Sequence, residues 1–155
     1  MTVQDIITRA RYEMRDESAI DYTDAELINY YNDALHAFNL YLINLRHDEV
    51  VSELTVTNGI VIPTDYFKFV GEYPIYRRAG HFYIADASTS IPTTYFKIFT
   101  PAATLSATFP LSDQYATHVV KGLVFWALNK HSFDMSQDKN AIDTIQKTMA
   151  MGLAP

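Results

Sequence analysis

The chain has 155 residues, of which 48% are apolar and 19% charged, a balance that predicts one globular domain with its own core. It has no cysteine, which excludes disulfides, thiol nucleophiles and cysteine-ligated zinc, and no stretch resembles a signal peptide or a membrane span. The net charge of −6 lies entirely in residues 1–49, which contain four arginines and ten acidic residues. Tight DNA binding without sequence preference needs a cluster of cations, and no such cluster is visible in the sequence. An acidic excess of this kind is usually a solvated helix face, and the alternative is an acidic wall that faces another component.

The first predicted helix covers about residues 3–16. Thr2 and Asp5, three residues apart, mark the start of this helix. Arg11 and Asp16 are assigned to the outer, polar faces. The apolar residues recur at helical spacing and form one stripe: Val3, Ile6, Ile7, Ala10 and Met14.

The second predicted helix covers about residues 24–46 and begins at a capping box formed by Thr23 and Glu26. Its apolar arc is wide, because a flanking stripe that includes Tyr30 and Tyr41 lies beside the main apolar face. An arc of this width predicts burial on two sides, against the first helix and against something else. The candidate subunit-interface residues are Tyr30, Tyr31 and Tyr41.

Over about residues 50–100 the apolar pattern changes to the period of two that is typical of β-strands. The pair Asn58-Gly59 lies between two β-branched runs, a strong signal for a hairpin. Residues 68–78 and 81–85 predict a second hairpin, and residues 94–99 predict a further strand.

Two more helices are predicted at about residues 113–131, capped by Ser112, and at about residues 137–150. The predicted fold class is therefore α+β: a four-helix assembly, with two N-terminal and two C-terminal helices, and an inserted antiparallel sheet, all in a single domain of residues 1–155.

The chain carries none of the standard catalytic, nucleotide-binding or metal-binding motifs, so the sequence predicts no enzyme, metal or cofactor. A small enzyme or ligand-binding protein that uses His131, Asp134 and Asp138 is an alternative. The two aspartates are explained more simply by the start of the fourth helix, where a cap and a first-turn acid are favoured.

The second hairpin combines aromatic residues with an arginine pair. This combination is found in nucleic-acid-binding patches, and a small nucleic-acid-binding module is a second alternative, but two arginines give a small electrostatic footprint. Tyrosine and arginine are also enriched where proteins contact each other, which favours a protein interface. The candidate hairpin contact residues are Tyr73, Tyr76, Arg77, Arg78, Phe82 and Tyr83.

Three strings along the chain carry a family resemblance: Ile7-x-x-Ala10-Arg11 with Tyr22-x-Asp24-x-Glu26-Leu27 and Tyr31-Asn32-Asp33-Ala34; Ile62-Pro63-x-Asp65-Tyr66-Phe67 with Val70; and Phe109-Pro110-Leu111-x-Asp113-x-Tyr115 with Trp126-Ala127-Leu128. Together with the order of elements, they resemble phage head–tail connector proteins. This is the adaptor or head-completion family, which includes adaptors similar to tail tubular protein A.

The resemblance implies a structural protein of the virion neck, assembled in the host cytoplasm, with no cofactor and no membrane association. It implies a homo-oligomeric ring, usually of twelve copies, that binds the portal protein above and a tail or nozzle protein below. Double-stranded DNA would pass through the lumen of the ring without specific binding. In such proteins the C-terminal tail often docks on the portal, and the residues here that suit this role are Met149, Met151, Leu153 and Pro155.

Overall fold

A computed structural model describes residues 1–129. Within this range it has three α-helices, six β-strands and two short 3-10 turns, at Asp48–Val50 and Asp113–Tyr115. The helices are α1 (Val3–Met14), α2 (Asp24–Asn44) and α3 (Ala116–Leu128), and the strands are β1 (Val51–Thr57), β2 (Ile60–Val61), β3 (Tyr66–Phe69), β4 (Ile75–Arg78), β5 (His81–Ile84) and β6 (Ser90–Lys97). The α+β class is confirmed.

The described residues form two compact units, one of residues 1–41 and 101–129 and one of residues 42–100. We call them the helical unit and the sheet unit and describe each by itself. The predicted fourth helix at 137–150 lies outside the described residues, so the four-helix assembly stays a prediction, as does the single domain.

The predicted capping box of Thr23 and Glu26 is confirmed, and Thr2 and Asp5 form a further capping box at the predicted start of α1. The Asp5 amide donates to the Thr2 hydroxyl at 3.3 Å, and the Thr2 amide donates to the Asp5 carboxylate at 2.7 Å. The Glu26 amide donates to the Thr23 hydroxyl at 3.2 Å, and the Thr23 amide donates to the Glu26 carboxylate at 2.9 Å. These local bonds satisfy backbone donors that a helix start would leave unpaired, and they fix where α1 and α2 begin.

In the helical unit α3 packs along α1 and also contacts α2. The Phe38 ring packs 5.8 Å from the rings of Tyr115 and His118, measured between centroids. Nearer the other end of α3, the Tyr22 hydroxyl donates to the carbonyl of Ala127 at 3.1 Å. The residue Tyr22, just before α2, thus contacts the end of α3, and Phe38, late in α2, contacts His118 near the start of α3, so the two helices run antiparallel. The apolar stripe of α1 is fully buried at Val3, Ile6, Ile7 and Ala10, as its spacing predicted.

The start of α3 differs from the prediction. A 3-10 turn occupies Asp113–Tyr115, and α3 begins only at Ala116. The Ser112 side chain makes no capping hydrogen bond, so the predicted serine cap is wrong. The Tyr115 amide instead donates to the Ser112 carbonyl at 3.0 Å, and this backbone bond starts the turn.

The sheet unit has two antiparallel three-stranded sheets, with strand orders β1-β6-β3 and β2-β5-β4. The predicted hairpin at Asn58-Gly59 is wrong, because β1 pairs with β6 and β2 pairs with β5. The Asn58 side chain accepts from the amide of Ile84 at 2.8 Å, and the Gly59 amide donates to the carbonyl of Phe82 at 2.9 Å. The turn therefore carries the chain from one sheet to the other. Gly59 has a φ of +79°, the left-handed conformation that glycine adopts without strain.

The second predicted hairpin is confirmed in its outer half. β4 and β5 pair through a turn at Ala79 and Gly80, both with positive φ. The long predicted first arm, residues 68–78, is divided between β3 and β4, and Pro74 lies in the gap. Proline has no amide to donate to a ladder, which accounts for the interruption. β6 begins at Ser90, four residues before the predicted strand.

Candidate partner-contact surfaces

The β4–β5 hairpin presents an aromatic pair to solvent. Tyr76 and Tyr83 lie directly opposite each other in the ladder, and their rings stack with centroids 5.6 Å apart. Tyr76 is 49% exposed. Cross-strand aromatic pairs stabilise a hairpin, and a ring that stays half exposed also keeps area for a partner.

The two arginines of the hairpin have different surroundings. The Arg77 guanidinium lies 4.6 Å from the centroid of the Tyr66 ring and donates to its hydroxyl at 3.0 Å. Arg78 is exposed at the end of β4. Within residues 1–129, neither arginine forms an ion pair with a carboxylate. The hairpin therefore offers two positive charges whose preferred anionic partners are not supplied by the described chain.

Phe82 was a predicted contact residue of the hairpin, and the structure contradicts this prediction. Its side chain is fully buried in a sheet-unit cluster with Val56 and Ile84, so it is not available to a partner. Its ring lies 5.0 Å from the Tyr66 ring and 5.1 Å from the Phe69 ring. An alternating strand turns successive residues to opposite faces, and Phe82 is on the inner face while Tyr83 is on the outer one.

Tyr73 is held within the sheet unit by polar contacts. Its hydroxyl accepts from the Thr94 amide at 3.1 Å and lies 3.3 Å from the Thr94 hydroxyl. Its ring packs edge-on against Phe69, with centroids 5.3 Å apart. These contacts give the half-buried Tyr73 a structural role in joining the segment after β3 to β6.

Tyr31 was a candidate interface residue of α2, and the structure contradicts this prediction. It is only 1% exposed, and burial raises the pKa of its hydroxyl to about 12. Its side chain belongs to the core of the helical unit, so a neighbouring subunit cannot reach it. Tyr30 and Tyr41 are half-buried, and Tyr41 stacks 6.4 Å from Phe38. These two keep partly open faces and stay predicted interface residues.

The end of α1 carries a buried ion pair with Asp16, and a partly exposed ion pair with Asp24 ties it to α2; the sequence pattern missed both. Arg11 is 7% exposed, and it donates to the carboxylates of Asp16 and Asp24. The other Asp16 oxygen accepts from the amides of Ile20 and Asp21 at 2.9 and 3.0 Å. Burial by itself would raise the pKa of Asp16. The bonds from the Asp21 and Ile20 amides and the charge of Arg11 outweigh it, so the pKa is lowered.

The same corner of the helical unit exposes large apolar side chains. Ile20 is 83% exposed in the connection between α1 and α2, and Tyr12 is 74% exposed near the end of α1. Three exposed acidic residues, Glu13, Glu17 and Asp21, and one exposed basic residue, Arg15, lie within the same ten residues of chain. Within residues 1–129 none of these three acidic residues forms an ion pair. The sequence signal for this exposed apolar surface was Ile20, a single isoleucine in an otherwise polar connection. A search for helical or strand periodicity does not detect a single residue of this kind.

The part of the chain that the structure describes contains no group of three histidine or acidic side chains placed to hold a metal ion. None of its helices combines the length and apolar character that crossing a bilayer requires. The predicted tail contacts Met149, Met151, Leu153 and Pro155 lie beyond the described residues, and so do the alternative site residues His131, Asp134 and Asp138.

Paired helices, two small sheets and exposed aromatic and charged side chains define a protein suited to structural contacts with other proteins. The chain belongs to the SU10 adaptor protein family, whose model matches residues 1–84. This family consists of structural phage adaptors, components of the virion that interact with other virion proteins, and it is not a known enzyme family. No curated protein matches the chain.

The family match runs from the start of α1 to the end of β5. It includes both capping boxes, the Arg11 ion pair and the arginine-bearing hairpin, and it contains the first two strings on which the resemblance depends. The resemblance to a phage adaptor family, first seen in the sequence, is confirmed.

Proposed function

We propose that this protein is a head–tail adaptor whose copies form a ring in the virion neck and join the portal to a tail or nozzle protein. The observation that carries the proposal is the family match over residues 1–84. The exposed hairpin and the half-buried tyrosines of α2 support it, because they leave aromatic area open to other chains.

The charge distribution supports a ring through which DNA passes without being held. Residues 1–41 and 101–129 contain nine acidic and four basic residues, and one of those basic residues, Arg11, is buried in an ion pair. Phosphate backbones bind tightly where several cations neutralise them together, and an acidic surface does the opposite. A ring lined by a surface of this charge would not bind the phosphates tightly, so a DNA duplex could pass through it.

The same charges weigh against the alternative of a nucleic-acid-binding module. Its candidate residues were Arg77 and Arg78, and the Arg77 guanidinium is already stacked on Tyr66. One free arginine beside a stacked one gives at most two phosphate contacts, too few for tight binding without sequence readout.

The experiment is a mass measurement of the purified protein in solution, alone and with the portal protein of the same phage. We expect complexes that contain a fixed number of copies per portal ring. A protein that stays monomeric and never joins the portal would contradict the proposal.

A variant of the C-terminal tail tests the proposed portal contact in the same assay. Replacing Met149, Met151 and Leu153 together by serine should weaken portal binding at least tenfold, because the apolar tail would lose the area it buries in a groove. Replacing the exposed Thr117 by serine is the matched control and should leave portal binding unchanged. Equal binding by the triple variant would remove the tail from the proposal.

A further inference from the structure

We propose that the β4–β5 hairpin of one copy docks on the acidic corner of a second copy of the same chain. The acidic corner is the surface formed by Tyr12, Glu13, Glu17, Ile20 and Asp21 of the helical unit. The inference rests on the proposed ring and names the contact that would build it.

The hairpin side of the contact is rigid and positively charged. The stacked Tyr76–Tyr83 pair fixes its outer face, and the Tyr66 ring and hydroxyl hold the Arg77 guanidinium in place. Arg78 extends from the strand end with no ion pair in residues 1–129. Guanidinium groups bind carboxylates in a planar, two-point geometry, so this face is suited to an acidic protein surface.

The acidic corner has the complementary character. Within ten residues of chain it has two strongly exposed apolar side chains, Tyr12 and Ile20, and three exposed carboxylates with no ion-pair partner among the described residues. The stretch also has one exposed arginine, Arg15, so its exposed charge stays negative. Its backbone is already ordered, because the Asp16 carboxylate binds two consecutive amides of the connection and Arg11 ties it to α2. A pre-ordered surface loses little conformational entropy when a partner binds.

The occupant is a second copy because the two surfaces differ and complement each other in charge. A contact between two different patches of identical chains is heterologous, and it passes from copy to copy until the assembly closes. Each copy then gives one hairpin and offers one acidic corner, so no patch is left uncovered in a closed ring. DNA is a weaker candidate partner for the hairpin, because two arginines, one of them stacked on Tyr66, neutralise at most two phosphates.

Charge reversal tests the contact in the portal assembly assay. R78E should lower the fraction of ring-bound protein at least tenfold, because it faces the acidic corner with a like charge. The double variant E17R/D21R should fail to the same degree for the opposite reason. K68E changes the charge by the same amount at another exposed position of the sheet unit and should assemble normally.

Mixing the two failing variants gives the decisive result. In a ring where R78E and E17R/D21R copies alternate, every hairpin meets a corner of opposite charge, so we expect the mixture to assemble although neither variant does so alone. The triple variant R78E/E17R/D21R should also assemble. Unchanged melting temperatures of all variants would show that the losses are not due to unfolding.

Three outcomes would overturn the inference. R78E rings that form as in the wild type would leave the adaptor function standing and remove the hairpin from the subunit contact. Assembly that fails in both variants and is not restored by mixing would show that the two surfaces do not meet. Loss of binding to a fluorescent DNA duplex in R78E, with rings intact, would assign the hairpin to nucleic acid. A wild-type protein that forms no ring removes the proposed function as well, and only that result does so.

Discussion

A Cβ atom placed on Gly122 would lie 3.1 Å from the Cβ atom of Ala34, so α2 and α3 approach closely at a point where each has a minimal side chain. Contacts of this length are tighter than ordinary carbon–carbon contacts, and the helices would have to separate to admit anything larger. The packing of the helical unit therefore depends on two small residues that lie 88 positions apart in sequence.

The first prediction follows from this close approach. Gly122→Leu should destabilise the protein by about 2 kcal/mol, because the added side chain overpacks the contact with Ala34. The measurement is the free energy of unfolding from denaturant titration. Lys121→Leu, at the exposed neighbouring position, is the control and should change stability by less than about 0.5 kcal/mol. Equal stability of both variants would mean that α2 and α3 are not in close contact there.

The second prediction concerns two tyrosines with different hydroxyl environments. The buried Tyr31 hydroxyl has no hydrogen-bond partner within residues 1–129, whereas the Tyr22 hydroxyl donates to Ala127. Tyr31→Phe should therefore be neutral or slightly stabilising, and Tyr22→Phe should cost about 1 kcal/mol. The free energy of unfolding at neutral pH decides the matter. A larger loss in the Tyr31 variant would reveal a partner for its hydroxyl.

High pH gives a separate test on Tyr31. Its pKa is about 12 in the folded protein and 10.0 when unperturbed, so the folded state holds its proton more tightly than the unfolded state. This stabilising effect is complete below pH 10 and is lost as the pH rises through the folded pKa. Denaturant midpoints measured from pH 9 to 12 should therefore fall less in Tyr31→Phe than in the wild type. Parallel curves would contradict the burial of the hydroxyl.

The third prediction concerns the buried Arg11–Asp16 pair. Asp16→Asn removes the buried one of the two carboxylate charges that compensate the Arg11 guanidinium, and we expect a loss of about 2 kcal/mol. Because the pKa of Asp16 is lowered from its ordinary value of 3.8, its contribution is complete above that value and is lost as the pH falls through the folded pKa. The difference in stability between wild type and variant should thus shrink below about pH 4. A constant difference down to pH 2 would show that the carboxylate charge is not responsible.

The fourth prediction tests the second capping box. Thr23→Ala should cost about 1 kcal/mol, because the Glu26 amide would lose the hydroxyl that it binds. Thermal unfolding followed by circular dichroism would record the change. Thr117→Ala, at an exposed position of α3, is the control, since Thr117 is not at a helix cap. A Thr23 variant as stable as the control would remove the cap from the account.

Interactions between near neighbours were readable from the sequence, and those between distant residues were not. The starts of α1 and α2 were predicted correctly, because each capping box joins residues only three apart and its chemistry is local. The Asn58-Gly59 turn has the sequence of a hairpin, yet β1 pairs with β6, whose residues lie more than thirty positions away along the chain. Local propensity favours a turn and does not choose the strand on the other side of it.

At the candidate surfaces, too, the sequence did not reveal features that depend on contacts between distant residues. Tyr76, Arg77 and Arg78 are exposed on the hairpin, but Phe82 is buried because of its neighbours in the sheet unit. Arg11 was assigned to a polar helix face, and it is buried because two carboxylates beyond α1 converge on it. Sequence periodicity cannot detect such convergence, since it depends on how the connection after α1 folds back.

The most direct test of the adaptor function is a reconstruction of the virion neck by electron cryo-microscopy. The account predicts a closed ring of this chain beneath the portal, around the DNA path, with the β4–β5 hairpin of each copy against the α1–α2 connection of the next. A neck in which this chain is absent, or in which its copies are not joined in a ring at the portal, would contradict the account.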